Sequence, residues 1–393
     1  MSFLHSLQLD GFLSFRPGSQ PIELTPLNVL IGPNASGKSN VIEAVELLHA
    51  TPTDLAAAVR LGGSPGDWIW KGDVTKEARL AADLVVTEFE LPIRISYCLA
   101  FSEAPSGRLR VVDEVVQRHK GRPTAEALYY SLTQHVLHVS QIGGSGLAGV
   151  RRFDPDELDH QQSILSQRKD PVSYPALTAL ANAFGRIQTF REWSIGRLSA
   201  PRLAQPTDQA SGPLHADGSN LGLVLNDLEH SDAWPRFNEC MRRFLPRFSR
   251  VSTRVQAGSV QIYLREDGLR SPVPATRLSD GTIRFMALLA VLLRAESSPL
   301  ICVEEPELGL HPDALALIAE LLVEASTKSQ LIVTTQSDAL ISALSEHADS
   351  VIVCEHRDGA TELERLESEK LRFWLDKYRL GEIWRIGKLG GDP

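Results

Sequence analysis

The feature that most constrains how this chain can fold is a glycine-rich octapeptide set between an apolar run and an amphipathic one. Its residues are Gly32, Pro33, Asn34, Ala35, Ser36, Gly37, Lys38 and Ser39, a full match to G-x-x-x-x-G-K-[ST]. The mostly apolar run Leu27–Ile31 predicts a buried strand, and the apolar spacing over Lys38–Ala50 predicts a helix. Strand, loop and helix in this order predict a P-loop.

The chemistry expected of this loop is the binding of a triphosphate. Gly32 and Gly37 let the backbone curl so that successive N–H groups can point at phosphate oxygens. The helix that begins near Lys38 adds a partial positive charge. Lys38 is expected to reach the β- and γ-phosphates, and the Ser39 hydroxyl to bind Mg²⁺. Alone, the loop predicts the binding of a nucleoside triphosphate with Mg²⁺ and no more. The octapeptide and Asn40 are the predicted nucleotide-binding residues, and ATP and Mg²⁺ become the expected cofactors through the family resemblance.

A pair of carboxylates follows a second buried run. The apolar residues Leu300–Val303 predict a strand, and Glu304 and Glu305 come directly after it. Ligands of open α/β sheets bind at the carboxyl ends of strands. Glu304 is predicted to hold Mg²⁺ or its waters, and Glu305 to orient and deprotonate an attacking water. An isolated Glu-Glu pair is more often a solvated loop, but its place after a P-loop and an apolar strand favours the catalytic interpretation.

A third motif is the pentapeptide Leu278-Ser279-Asp280-Gly281-Thr282, which precedes Glu304. Ser279 is predicted to cap a helix that starts near Thr282, and Gly281 permits close approach of another backbone. Most capped helix termini are structural. The position of this one, between a P-loop and an acidic strand end, favours a second phosphate-binding terminus.

Strands and helices alternate in the last third of the chain. Apolar strands are predicted over Leu300–Val303 and Gln330–Thr334, with helices over 282–294 and 312–325. This alternation is typical of a parallel sheet flanked by helices. Because the P-loop strand lies near residue 30, the sequence predicts an α/β fold whose core is split by a large insertion.

The insertion sets the predicted domain organisation. The N-terminal half of the core is expected over residues 1–50, an inserted α+β lobe over residues 51–249, and the C-terminal half of the core over residues 250–393. Within the insertion, alternating runs over Arg94–Phe101 and Arg108–Val116 predict an antiparallel sheet. Helical patterns follow over 174–193 and 220–244.

The charge of the chain bears on nucleic-acid binding. A formal net charge of −9 argues against coating nucleic acid through bulk charge. The densest basic cluster comprises Arg242, Arg243, Arg247, Arg250 and Arg254. A solvated helix face with its exit loop is the favoured interpretation, and a phosphate-binding patch is the alternative.

Cysteine usage and hydropathy indicate the compartment. The four cysteines lie far apart without C-x-x-C spacing, which favours buried thiols over disulfides or zinc ligands. The longest purely apolar run, Met286–Leu293, is too short to span a membrane. The N-terminus lacks the cationic region of a signal peptide. A cytoplasmic protein without membrane contact is expected.

The motifs in their order resemble a known lineage. The P-loop, LSDGT, EEPELGLHP and TTQS are similar to those of ABC-type ATPases of the RecF, SMC and OLD lineage, and more closely to RecF-like AAA family ATPases. Further matches are Leu9–Phe15, Asp217–Leu221 and Gly381–Trp384.

This resemblance assigns roles. Glu304 matches the Walker B acid and metal ligand, and Glu305 the catalytic base. Ser279, Asp280 and Gly281 match the signature loop that binds ATP held by the opposite subunit. The segment Leu308–His311 matches the D-loop at the dimer seam.

Three departures from the family pattern stand out. Glu304 occupies a position where most ABC proteins have Asp. Gln336 occupies the position of the switch histidine, and an amide can contact a γ-phosphate but carries no charge near pH 7. Gln336 is a predicted catalytic residue by its position. Because its amide is uncharged, slow hydrolysis is expected. Gln141 is a weak candidate for the Q-loop, and a surface glutamine is the favoured interpretation.

Two functions are expected from these features. The first is an ATPase that dimerises head to tail over ATP·Mg²⁺ and hydrolyses it to open and close, in DNA repair or phage defence. The alternative is a nucleotide-gated scaffold or sensor with negligible turnover that regulates an effector protein, a nuclease or toxin encoded elsewhere. DNA is a possible partner in either case.

Overall fold

The computed structural model describes residues 2–72, 76–88, 90–119, 128–134, 136–139, 149–152, 154, 157–191, 193 and 195–389; Gln141 lies outside them. The strands are β1 (Leu4–Asp10), β2 (Ile22–Glu23), β3 (Leu27–Ile31), β4 (Glu77–Glu88), β5 (Leu91–Glu103), β6 (Leu109–Arg118), β7 (Leu128–Ser131), β8 (Val136–Val139), β9 (Gly149–Arg152), β10 (Gln188–Phe190), β11 (Gln205–Pro206), β12 (Phe248–Gln256), β13 (Ser259–Glu266), β14 (Val273–Pro274), β15 (Leu300–Glu304), β16 (Gln330–Thr335), β17 (Val351–Arg357) and β18 (Ala360–Arg365). The α-helices are α1 (Lys38–Ala50), α2 (Leu55–Leu61), α3 (Ile164–Gln167), α4 (Pro175–Gly185), α5 (Leu221–Leu228), α6 (Trp234–Phe244), α7 (Asp280–Leu292), α8 (Leu315–Ser326), α9 (Asp338–Ala343), α10 (Ser368–Leu375) and α11 (Leu380–Arg385).

The chain divides into two compact units. The first comprises residues 1–187 and 352–365, and the second comprises residues 188–351 and 366–393. The first unit therefore draws on two stretches that lie far apart in the sequence. The three-part domain organisation predicted from the sequence, with borders near residues 50 and 249, stays a prediction.

The first unit contains an antiparallel sheet in the strand order β2-β1-β4-β5-β6-β7-β8-β9. Its central strands β4 and β5 have 12 and 13 residues, and every second residue of β4 from Ala78 to Val86 is buried. This period-two burial confirms the sheet predicted from the alternation in β5 and β6. Phe184 of α4 packs edge-on against Tyr97 of β5, with ring centroids 5.3 Å apart.

The P-loop also lies in the first unit, where β3, β17 and β18 are neighbours in a second sheet. All five residues of β3 are buried. Helix α1 follows with Val41, Ile42, Val45 and Leu48 buried on one face. Both elements have the bounds predicted from the sequence, because buried strands and one-sided helices leave strong patterns.

In the second unit, β10, β15 and β16 are parallel neighbours. Glu304, the last residue of β15, lies beside Thr334 of β16. Helices α7 and α8 carry the apolar stretches between these strands. A smaller antiparallel sheet is built around β13, which pairs with β11, β12 and β14.

Two of the helical predictions were too long. The pattern over 174–193 yields α4, which ends at Gly185, and Gln188–Phe190 forms strand β10 instead. A short apolar strand after a helix cannot be told from another helical turn by periodicity alone. The pattern over 220–244 is interrupted between α5 and α6, where Pro235 lies in the first turn of α6.

The cysteines agree with the expectation of free thiols. Cys240, Cys302 and Cys354 are buried, Cys98 is partly exposed, and none forms a disulfide. Within the described ranges, no helix has the length and apolar character needed to cross a bilayer.

One buried carboxyl group joins the large sheet to α3. Glu114 of β6 accepts hydrogen bonds from the Tyr97 hydroxyl at 2.8 Å, the Ser163 hydroxyl at 2.5 Å and the Ile164 N–H at 2.8 Å. Burial raises the pKa of the Glu114 carboxyl to about 7, although the three donors oppose this shift. The folded protein therefore binds a proton that the unfolded chain releases at lower pH.

This linkage predicts a pH-dependent stability. Because the pKa of Glu114 is raised from 4.5 to about 7, the free energy of unfolding should fall as pH rises from 4.5 through 7 and level off above that. The decrease should be about 3 kcal/mol, at about 1.4 kcal/mol per pKa unit. Urea unfolding at pH 5 and pH 8 measures it. Glu114→Gln should remove most of the difference, whereas Glu229→Gln, at an exposed position, should retain it.

Candidate functional site

The phosphate-binding loop requires glycine at two places. Gly32 has φ 154° and Gly37 has φ 95°. A Cβ at Gly32 would lie 2.3 Å from the Cys354 carbonyl oxygen, and one at Gly37 would lie 2.2 Å from Thr361 Oγ1. Both the backbone conformation and the available space therefore exclude a side chain. Ala35 has φ 62°, which costs roughly 1–2 kcal/mol in an L-residue.

The Lys38 ammonium is bound by the backbone of this loop. Its Nζ donates to the carbonyl oxygens of Gly32 and Pro33, each at 2.7 Å. Lys38 is only 6% exposed. Helix α1 begins at Lys38, and Gly37 provides no side-chain cap for its N-terminus. A cation and a helix N-terminus at one loop suit a bound phosphate group.

Side chains from distant parts of the sequence support the loop. Thr361 Oγ1 donates to the Ser36 carbonyl oxygen at 2.9 Å, and it forms a second hydrogen bond of 2.6 Å with the Ser14 hydroxyl. Asn40 Nδ2 also donates to Ser14 Oγ, at 2.6 Å. Asn40, which the sequence analysis includes among the ATP-binding residues, thus holds Ser14, and its contact with ATP stays a prediction. Sequence analysis missed Thr361 because no local motif marks it.

A cavity of about 350 Å³ lies beside this loop in the first unit. Its lining includes Val41 of α1 and Thr361, the residue that supports the loop. Phe15 and Leu363 form apolar parts of the wall, and Arg16 and Glu362, which form an ion pair with each other, add charged groups. Apolar walls with a few polar groups are typical of cavities that bind small molecules.

In the second unit, Glu304 is held by an arginine. Arg191 Nε donates to Glu304 Oε2 at 3.1 Å, and both side chains are less than one third exposed. Arg191 comes directly after β10, whose Phe190 lies beside Val303 of β15. The parallel pairing therefore brings these two side chains to the same sheet edge. Sequence analysis missed Arg191 because the helical pattern over 174–193 ran across it.

Glu305 has an unusual backbone conformation. Its φ is 45°, in the left-handed region, at a cost of roughly 1–2 kcal/mol. Its N–H donates to the Thr334 carbonyl oxygen at 3.0 Å. Gln336 Nε2 donates to Glu305 Oε1. The two predicted catalytic residues are thus in contact, and outliers of this kind cluster at functional sites.

Glu307 positions the end of β16. It accepts a hydrogen bond from Thr335 Oγ1 at 2.5 Å and another from the Gln336 N–H at 3.2 Å. Burial raises the pKa of the Glu307 carboxyl above its usual range. Within the described part of the chain, Glu307 Oε2 and Thr334 Oγ1 are buried oxygens without a hydrogen-bond partner. They offer two polar contacts to a water or ligand.

The LSDGT motif begins helix α7. Ser279 Oγ accepts from the Thr282 N–H at 3.1 Å, so Ser279 caps the helix as predicted. The helix starts at Asp280, two residues before the predicted position. A Cβ at Gly281 would lie 3.0 Å from the Gly309 carbonyl oxygen. The segment that resembles a D-loop therefore packs directly against the motif that resembles a signature.

A buried arginine holds the residues before α7. Arg202 is 4% exposed and donates to the carbonyl oxygens of Ala275 at 3.1 Å and Leu278 at 2.6 Å. It also forms an ion pair with Asp280. The negative charge of Asp280 is therefore balanced at a helix N-terminus. Sequence analysis did not identify Arg202.

Two of the predicted site residues carry oxygen atoms of the kind that Mg²⁺ prefers. Mg²⁺ prefers hydroxyl and carboxylate oxygens and is usually held by one or two protein groups plus phosphates and water. Ser39, the second residue of α1, offers a hydroxyl, and Glu304, at the end of β15, offers a carboxylate. Their role as metal ligands stays a prediction.

Comparison with known proteins identifies a family whose model matches most of the chain. A family model described as "AAA domain, putative AbiEii toxin, Type IV TA system" matches residues 27–131 and 139–342. The DNA replication and repair protein RecF of Rickettsia canadensis (strain McKiel) is 45% identical over 47 residues, which make up 12% of this chain and 13% of that protein. The match therefore spans a small part of RecF.

The fold is similar to that of SMC heads in solved structures. The SmcHead bound to the C-winged helix domain of ScpA has a TM-score of 0.58 at 17% identity, over 94% of this chain and 99% of that chain. An Smc head domain with an extended coiled coil from Pyrococcus furiosus has a TM-score of 0.56 at 16% identity, over 96% and 99%. The predicted α/β class, an ABC-type core with mixed sheets and flanking helices, is confirmed.

The contacts of Arg202 predict an asymmetric effect on stability. Arg202→Ala leaves three carbonyl groups, those of Ile195, Ala275 and Leu278, without their buried donor and removes the ion partner of Asp280. It should lower the free energy of unfolding by about 3–5 kcal/mol. Asp280→Asn should cost less than about 1 kcal/mol, because the Asp280 side chain is 76% exposed. Urea unfolding of both variants measures the difference. Equal losses would contradict the role given to Arg202.

Proposed function

We propose that this chain, which belongs to the family described as "AAA domain, putative AbiEii toxin, Type IV TA system", is an ABC-type P-loop ATPase similar to RecF and to SMC heads. It dimerises over ATP·Mg²⁺ and hydrolyses it. The observation that carries this proposal is the contact between Glu305 and Gln336 at the carboxyl ends of β15 and β16. A base and an amide in this position can orient a water molecule.

The phosphates of ATP bind to the loop around Lys38. On binding, the Lys38 ammonium exchanges its two carbonyl contacts for β- and γ-phosphate oxygens. The N-terminus of α1 adds a favourable dipole. The adenine ring of ATP occupies the cavity beside α1, where Phe15 offers an apolar surface.

Ser39 and Glu304 are the protein oxygens of the proposed metal site. Bound Mg²⁺ would neutralise charge on the β- and γ-phosphates. Arg191 balances the carboxylate of Glu304 in the present structure. Arg191 would therefore compete with a metal ion for the charge of this carboxylate.

Glu305 acts as the base that takes a proton from the attacking water. Its left-handed backbone fixes the direction of the side chain, and Glu307 fixes the neighbouring residues of β16. Gln336 is a neutral amide, so it orients groups without adding positive charge to the transition state. Slow hydrolysis follows from this neutrality.

A second copy of the chain completes the site. The Ser279 loop of one copy contacts the γ-phosphate bound by the other, because the capped N-terminus of α7 favours anions. Arg202 balances the charge of Asp280, which would otherwise repel a phosphate. Leu308 beside this loop is 56% exposed, which suits a surface that a partner covers.

The process served is DNA repair or phage defence. A matched relative is named a DNA replication and repair protein, and the family description mentions a toxin system. The alternative of a scaffold with negligible turnover is favoured by Gln336 at the switch position, because its amide carries no charge near pH 7. Single-turnover hydrolysis with Mg²⁺, with and without DNA ends, separates the two functions.

Two substitutions test the proposed ATPase. Glu305→Gln removes the base and keeps the size of the side chain, so it should bind ATP, lower the hydrolysis rate by about 10²-fold or more, and accumulate a dimer. Lys38→Ala should abolish ATP binding. Calorimetry measures binding, and size-exclusion chromatography with light scattering measures the dimer.

Glu346→Gln is the matched control, because Glu346 is exposed and lies outside the proposed site. It should behave like the wild-type protein in ATP binding, in hydrolysis rate and in dimer formation. Normal hydrolysis by Glu305→Gln would refute the assignment of the base. A strictly monomeric ATP complex of that variant would refute the proposal that a second copy of the chain completes the site.

A further inference from the structure

The hairpin of β12 and β13 has one buried face and one exposed face. Val251, Ile262 and Leu264 are at most 1% exposed and form the inner face. The antiparallel register places Arg250 opposite Arg265 and Arg254 opposite Gln261. Because side chains alternate along a strand, these three arginines share the outer face.

The outer face carries no acidic residue. Its members in register order are Arg250, Ser252, Arg254 and Gln256 of β12 and Arg265, Tyr263, Gln261 and Ser259 of β13. We call this set the arginine face. Besides the three cations it offers hydroxyl and amide groups. Its charge is opposite to the net charge of −9 on the whole chain.

The arginine face contains a like-charged pair that the fold does not balance. Arg250 and Arg265 are direct cross-strand partners, and like charges in this position are destabilising. In the described residues, no carboxylate forms an ion pair with either of them. Arg243 and Arg247, close by in the sequence, do form ion pairs, with Glu320 and Glu266.

The third cation of the face is held in place by an aromatic ring. The Arg254 guanidinium lies over the Tyr263 ring, 4.6 Å from its centroid. Tyr263 is in turn held by its hydroxyl, which donates to Gln261 Oε1 at 2.7 Å. The stacking orders the arginine without neutralising its charge.

We propose that the arginine face binds the phosphate backbone of a nucleic acid. Arg250 and Arg265 are about 5 Å apart at their Cα atoms, and Arg254 lies about 13 Å along the strand from Arg250. Cations spread over this distance match a ligand with regularly repeated negative charges better than a single phosphate. Serine, glutamine and tyrosine side chains are common donors to phosphate and sugar oxygens.

This binding is independent of base sequence and of ATP hydrolysis. The contacts available on the arginine face are to phosphates, which position a protein without reading bases. The sequence analysis favoured a solvated surface for the basic cluster from Arg242 to Arg254. The structure separates the ion-paired members from Arg250 and Arg254, and it adds Arg265 from the returning strand.

The test is the salt dependence of binding to a labelled 30-base-pair DNA duplex, followed by fluorescence anisotropy. The triple variant Arg250→Gln, Arg254→Gln, Arg265→Gln should weaken binding on the order of 100-fold at 0.1 M salt. The slope of log K against log salt should become less steep by about 3, close to one unit per lost phosphate contact.

A matched control removes three other exposed arginines, with Arg60→Gln, Arg110→Gln and Arg372→Gln. It should leave affinity and slope near the wild-type values. Because Arg250 and Arg265 are like charges on directly paired residues, the double variant Arg250→Gln, Arg265→Gln should melt at the same temperature as the wild type or higher. A lower melting temperature of this double variant would mean that the pair serves folding, and would overturn the proposal.

The outcomes are distinct from those of the proposed ATPase. Lys38→Ala should retain DNA binding, and the triple variant of the arginine face should retain ATP binding. The inference fails if the wild-type protein binds neither duplex nor single-stranded DNA. It also fails if the triple variant binds like the wild type, or if polyglutamate binds to the arginine face and DNA does not.

Discussion

The packing of the phosphate-binding loop against β17 and β18 is the contact on which the rest of the structure depends. The Cys354 carbonyl oxygen and the Thr361 hydroxyl occupy the space that side chains at Gly32 and Gly37 would need. The same hydroxyl holds the loop backbone at Ser36. The first unit therefore cannot be built from the N-terminal residues alone, which is the physical reason why it includes residues 352–365.

A second theme is that two carboxylates near the functional loops are paired with arginines before any ligand arrives, and that a third is held by hydrogen bonds. Glu304 pairs with Arg191, and Asp280 pairs with Arg202. Glu307 accepts two hydrogen bonds from the end of β16. Unbalanced acids in these positions would repel a triphosphate and each other. The two arginines differ in kind: Arg191 is partly exposed and can exchange its partner, whereas Arg202 is buried and fixed.

The sequence predicted what local patterns encode. The bounds of β3 and α1 and the cap at Ser279 follow from short motifs with strong periodicity or turn chemistry. Residues brought in by strand pairing were missed. Arg191 follows a strand whose pattern continues that of a helix, and Thr361 acts on a loop more than 300 residues earlier. No sequence window contains both members of such a pair.

The support of the loop by Thr361 has a consequence for protein synthesis. Ser36 and Thr361 are separated by 325 residues, so at about 5–20 residues per second the loop emerges from the ribosome roughly 15–65 s before its support does. During that interval Gly32 and Gly37 have no neighbouring strands to hold their conformation. A nascent chain therefore lacks this support for its phosphate-binding loop until residue 361 has been translated.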